Sequence, residues 1–250
     1  MTETELVLDL PNSDKKIHCL LRDVPDKPVV VFVHGLGGSM YEHIHHNGAR
    51  VVQQAGFATL RVNLYDSAGD ARNLMDCTVD THVDDLRVVL RHLRGQGRHI
   101  VLVGHSLGGV VLQRTDRDLF DAAILWDATD AQIAHVSKWS DTTFLPEVNM
   151  WAMHWGADCL VSTDLVDSWF DKPDHHDFGR PTLIVAAGGN WLKDAADRYQ
   201  AAQTGPSKLI EVVGADHCFN NDGAAEQLYV ETVSWLRETF SVLTPHRSRS

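Results

Sequence analysis

Positive charge is scarce in this sequence: 22 lysines and arginines stand against 34 acidic residues, a formal net charge of −12. A field of that sign repels phosphate backbones and anionic lipid surfaces. Nucleic acid and membranes are therefore not the expected partners, and a small neutral or weakly charged molecule fits better. Long apolar runs are missing too. No stretch reaches the ~18 residues of a membrane span. The acidic start Met1-Thr2-Glu3-Thr4-Glu5 has neither the basic nor the apolar segment of a secretory leader. Cysteines are few, and Cys19, Cys77, Cys159 and Cys218 lie far apart without metal-type spacing. That fits free thiols in a reducing compartment and makes the cytoplasm the expected location. No repeat or low-complexity linker interrupts the chain, and the short basic tail His246-Arg247-Ser248-Arg249-Ser250 reads as a frayed end.

What the chain does have is a regular alternation of apolar runs and amphipathic stretches within 250 residues, 44% of them apolar. Strand-like runs fall at Glu5–Leu10, Ile17–Arg22, Val29–Val33, Phe57–Leu64, His99–Gly104, Ala122–Trp126, Thr182–Ala187 and Leu209–Val213. Several are β-branched and apolar on both faces, as parallel strands covered by helices must be. Helical spacing marks Met40–Ala55, Val79–Arg94, Leu107–Arg117, Ala195–Gln203 and Gly223–Thr239. Strand and helix in alternation predict an α/β fold, a mostly parallel eight-stranded sheet with helices on both faces. The turn composition of Pro11–Lys15 makes the first two runs an antiparallel hairpin at one edge. One domain over 1–250 is expected. A cap-like insertion over about 128–180, rich in Trp139, Trp151, Trp155 and Trp169, breaks the rhythm above the carboxyl edge of the sheet.

The most informative segment is His99-Ile100-Val101-Leu102-Val103-Gly104-His105-Ser106-Leu107-Gly108-Gly109. An apolar strand enters Gly-x-Ser-x-Gly and a helical pattern leaves it, the setting in which a sharp turn lifts a serine hydroxyl clear of the sheet. Small residues at 104 and 108 suit so tight a bend. The Leu107 N–H, in the first helical turn, then points where an oxyanion would form.

On these residues the chain resembles the α/β-hydrolase superfamily over nearly its whole length. Val31-Phe32-Val33-His34-Gly35-Leu36-Gly37-Gly38 is similar to the family's oxyanion loop, which implies Leu36 N–H as the second donor. A dinucleotide reading of that loop fails because the third glycine of the fingerprint would fall on Met40. Gly214-Ala215-Asp216-His217-Cys218-Phe219 resembles the loop after the last strand in cinnamoyl- and feruloyl-esterase-like members. His217 follows a strand and precedes the last helix, where the family carries its general base. A serine hydroxyl is a weak nucleophile at neutral pH and needs such a base.

The acid has two candidates. The family usually places it just past the strand before the histidine strand, but Asn190 and Trp191 occupy that stretch and Asp194 comes a few residues late, where a helix start would use it as a cap. Some members instead carry the acid at the end of the strand after the nucleophile helix, which here is Asp127. Asp127 is placed ahead of Asp194, with Asp130 and Asp216 as outsiders.

The histidine clusters Glu42-His43-Ile44-His45-His46 and Asp174-His175-His176-Asp177 match no metal-site pattern and read as solvated or pocket-lining, so no metal and no cofactor is expected. The resemblance implies a serine carboxylesterase acting through an acyl-enzyme. Thioester or amide cleavage on the same machinery stays open, as does a receptor-like binding protein with slow or no turnover.

Overall fold

The computed structural model describes residues 3–11, 13–155 and 158–243; the basic tail from 246 lies outside them. The chain begins with a hairpin of β1 (Thr4–Asp9) and β2 (Lys16–Arg22) and continues through β3 (Val29–Val33), α1 (His43–Gln54) and β4 (Ala58–Asn63). Then come α2 (Val79–Gly95), β5 (Ile100–His105), α3 (Leu107–Gln113) and β6 (Ala122–Trp126). The segment that breaks the rhythm holds β7 (Thr142–Leu145), β8 (Met150–His154), β9 (Asp158–Ser162) and α4 (Thr163–Phe170). β10 (Thr182–Ala187), α5 (Lys193–Ala202), β11 (Ser207–Val212) and α6 (Ala224–Leu243) complete the order.

Eight strands form one sheet in the order β1-β2-β4-β3-β5-β6-β10-β11. β1 pairs antiparallel with β2, and β2 with β4; every pairing from β4 to β11 is parallel. The central strands are apolar throughout because both faces are covered. Val29, Val31 and Val33 enter one core together with residues of α2, α3 and α5, while Val30 and Phe32 enter the other with residues of α1 and α6. β5 divides in the same way, Ile100 and Leu102 against Val101 and Val103. Successive side chains point to opposite faces, so an unbroken apolar run is what a two-sided strand requires.

Two elements differ from the sequence reading. The helix expected over Leu107–Arg117 stops at Gln113, and Arg117–Leu119 forms a separate 3-10 turn. The insertion, which showed only weak helical periodicity, contains a three-stranded antiparallel sheet, β7-β8-β9, followed by α4. Its strands are four and five residues long, too short for a clear alternation to stand out. Among the described residues no helix is long and apolar enough to cross a membrane.

Candidate active site

β5 runs directly into α3, and Ser106 between them has φ 53°, in the left-handed region. Such a backbone costs a residue with a side chain roughly 1–3 kcal/mol and persists only when its surroundings over-determine it. They do so here. Ser106 N donates to Trp126 O (3.3 Å), and Ser106 O accepts from Gly109 N (2.9 Å) and Thr129 N (3.1 Å). Glycine is required at 108, because a Cβ there would lie 2.5 Å from the Val33 carbonyl oxygen. The same holds at 35, where a Cβ would lie 2.7 Å from Ser106 Cβ.

His217 sits in the loop between β11 and α6, and its Nδ1 lies 2.7 Å from Asp127 Oδ2. Asp127 follows β6, is buried, and has φ 42°. Its Oδ1 accepts from Ala187 N (2.9 Å) and its Oδ2 also accepts from Asn190 Nδ2 (2.5 Å). A carboxylate accepts only, so the proton of this pair is on Nδ1 and the lone pair of the neutral ring is on Nε2. Asp194 lies elsewhere: it is exposed in the first turn of α5, whose N-cap is Leu192. Asp216 holds Asn220 through its backbone N–H (2.7 Å) and side-chain amide (3.1 Å).

No hydrogen bond joins Ser106 Oγ to His217 among the described residues, while His105, next to Ser106 in sequence, touches His217 directly. That ring stands 4.8 Å from the His217 ring, centroid to centroid, and its Nε2 donates to the His217 carbonyl (2.9 Å). Serine–histidine contacts of this kind often tighten only when substrate is in place. Burial holds His105 neutral, with its pKa lowered to about 3.

The loop after β3 is fixed from behind. The Gly35 carbonyl accepts from His34 Nδ1 (2.9 Å), Tyr65 Oη (3.1 Å) and Gly38 N (3.2 Å). Because C=O and N–H of one trans peptide point in opposite directions, these three donors turn the Leu36 N–H the other way. Among the described residues neither Leu36 N–H nor Leu107 N–H is taken by a protein acceptor. Sequence reasoning gave no sign of Tyr65 here, since a tyrosine thirty residues away in sequence carries no local signal.

Glu42, at the start of α1, packs its carboxylate against Gly38. Burial raises its pKa, and a backbone hydrogen bond at Ser39 acts in the opposite sense. His45 departs from the solvated or pocket-lining expectation. It is fully buried and stacks on Trp126 at 6.2 Å, and burial pushes its pKa well down. His43 and His46 are exposed.

Asp130, Asp174 and His176 each bring a ligand atom within 4.8 Å of the others. Arg198 already donates Nε (2.6 Å) and an Nη (2.9 Å) to Asp130, so a guanidinium balances that charge. The tryptophans divide between packing and surface. Trp169 is buried, whereas half-exposed Trp155 lies over Gly37 and exposed Trp191 lies 6.4 Å from His217. Trp139 stands between those two, 6.0 Å from each.

A mostly parallel sheet with a strained serine after β5 and a carboxylate-anchored histidine after β11 is the architecture of a hydrolase scaffold. The chain belongs to the alpha/beta hydrolase family, whose model matches residues 30–229. Among solved structures it is similar to Est1E from Butyrivibrio proteoclasticus with ferulic acid bound. That match has a TM-score of 0.80 at 20% identity over 94% of this chain and 99% of that one. Mouse alpha/beta hydrolase domain-containing protein 10 gives 0.72 at 14% identity over 94% and 99%. In sequence, 84 residues are 36% identical to the peroxisomal succinyl-coenzyme A thioesterase of Mus musculus, a stretch that makes up 34% of this chain and 19% of that protein.

Proposed function

We propose that this protein is a serine hydrolase that cleaves carboxylic esters through an acyl-enzyme. The observation that carries the reading is the 2.7 Å contact between His217 Nδ1 and Asp127 Oδ2, beside a serine held at φ 53°. In this reading Ser106 Oγ attacks the ester carbonyl while His217 Nε2 takes its proton, forming the Ser106–carbon bond. Asp127 keeps the imidazole in the Nδ1–H tautomer and stabilises its cation. The Leu36 and Leu107 N–H groups receive the oxyanion. His217 then gives the proton to the departing alcohol, and water repeats the attack to release the acid. Donors fixed before the reaction avoid reorganisation, and each is worth roughly a hundredfold or more in turnover.

The proposed substrate is a small ester, neutral or weakly charged, bound under the insertion of about 128–180 acting as a cap. Half-exposed Trp155 over Gly37 supports that role for the insertion. The four cysteines are free, which fits action in the cytoplasm. A thioester is the second reading, favoured by the 84-residue likeness to a thioesterase. Turnover of a p-nitrophenyl ester and of an acyl-CoA, each compared with Ser106→Ala, tests both. Ester hydrolysis lost in the variant supports the proposal, and hydrolysis that survives it refutes the role of Ser106. A wild-type protein inert to both substrates would favour the receptor-like reading.

A further inference from the structure

The loop after β10 brings an amide, Asn190, to the Asp127 carboxylate. Asn190 Nδ2 donates to Asp127 Oδ2 at 2.5 Å, the same oxygen that His217 Nδ1 reaches at 2.7 Å. Two donors from two loops therefore converge on one carboxylate oxygen, while Ala187 N holds the other at 2.9 Å. Asn190 is itself fixed, because its Oδ1 accepts from Leu192 N at 2.7 Å.

We propose that Asn190 is a positioning residue for the Asp127 carboxylate. The inference rests on the proposed roles of Asp127 and His217. Ala187 N fixes Oδ1 and Asn190 Nδ2 fixes Oδ2, so the carboxylate is oriented before the imidazole meets it. Removing the amide leaves Oδ2 with His217 Nδ1 alone and the carboxylate held on one side only. Asn190→Asp would instead set a second carboxylate against Oδ2, acceptor against acceptor.

The experiment compares Asn190→Ala and Asn190→Asp with wild type and with Asp127→Asn, each checked for folding by circular dichroism. Two readouts are used: ester turnover, and the downfield NMR resonance of the His217 Nδ1 proton. Asp127→Asn should lower kcat by about ten-thousandfold. Asn190→Ala should lower kcat about tenfold or more with little change in KM, since a misplaced orienting group affects the transition state more than binding. It should also shift the Nδ1 resonance, and Asn190→Asp should cost at least as much turnover. Wild-type kcat with an unchanged Nδ1 resonance in Asn190→Ala overturns the proposal. If Ser106→Ala proves as active as wild type, the reading of the reaction fails instead. The Nδ1 resonance then still decides whether Asn190 orders Asp127 and His217.

Discussion

Gly108 sets the distance between α3 and the sheet, and replacing it by alanine opposes two known effects. Within a helix, alanine is better than glycine by about 1 kcal/mol. Against that gain, the new Cβ would lie 2.5 Å from the Val33 carbonyl oxygen, 3.1 Å from that of His34 and 3.2 Å from the Val33 carbonyl carbon. These are main-chain atoms of β3 and the loop after it, and they cannot rotate aside. Relief requires moving α3 or the central strand, so the cost belongs at the upper end of the roughly 1–3 kcal/mol typical of overpacking. The net loss should be about 2 kcal/mol, which lowers Tm by about 4–8 °C in a chain of this size. Gly95, the last residue of α2, is the control, because a Cβ there meets nothing within 4 Å. Gly95→Ala should be neutral or stabilising by up to about 1 kcal/mol. Thermal and urea unfolding of both variants, followed by circular dichroism, measures the contrast. Ester turnover should fall in Gly108→Ala alone, since α3 carries the Leu107 N–H. A Gly108→Ala protein as stable as wild type would show that the packing of α3 on β3 is not what demands glycine.

Other outcomes follow from buried charge. His34, His82 and His105 are neutral when folded, with pKa values lowered by burial to about 4, about 3 and about 3. The unfolded chain binds those protons near 6.5 and the folded one does not, so stability should fall as pH drops from about 6.5 toward 4, by up to roughly 1.4 kcal/mol per unit and per histidine. His82→Phe, which removes two partnerless ring nitrogens, should flatten the pH dependence of the urea midpoint by one proton's worth; an unchanged slope would contradict the assignment. Arg198→Ala leaves the buried Asp130 carboxylate without its guanidinium and should cost about 3 kcal/mol by urea unfolding. Asp194→Asn, at an exposed first-turn position, should cost about 0.5 kcal/mol through the helix dipole and leave turnover alone; a large loss of kcat would return Asp194 to the site.

The sheet was legible because parallel strands covered on both faces leave a plain trace, as in Val29-Val30-Val31-Phe32-Val33. The sharp turn at Ser106 was legible for a local reason, since its geometry depends on glycines two positions away on either side. Asp127 could only be ranked against Asp194, because the choice depends on which loop end meets His217 across 90 residues of sequence. The insertion was opaque: strands of four and five residues, with side chains shared between packing and surface, leave no period to read. His45 defeats a sequence reading because its neighbours His43 and His46 are exposed, and one helical turn offers both a wet and a dry face.

His34 gives the site a mechanical property. Its Nε2 accepts from Leu64 N at 3.0 Å while its Nδ1 donates to the Gly35 carbonyl at 2.9 Å. Only the neutral Nδ1–H ring satisfies both contacts, because a second proton would set donor against donor at Leu64. The imidazole is thus a rigid strut of fixed length between the end of β4 and the loop that turns Leu36. A displacement of the main chain at Leu64, on the far side of β3, would be transmitted to the loop that carries Leu36 with little slack. Sequence changes around Leu64 and Tyr65 should therefore alter the reactivity of the site without touching any group that meets substrate.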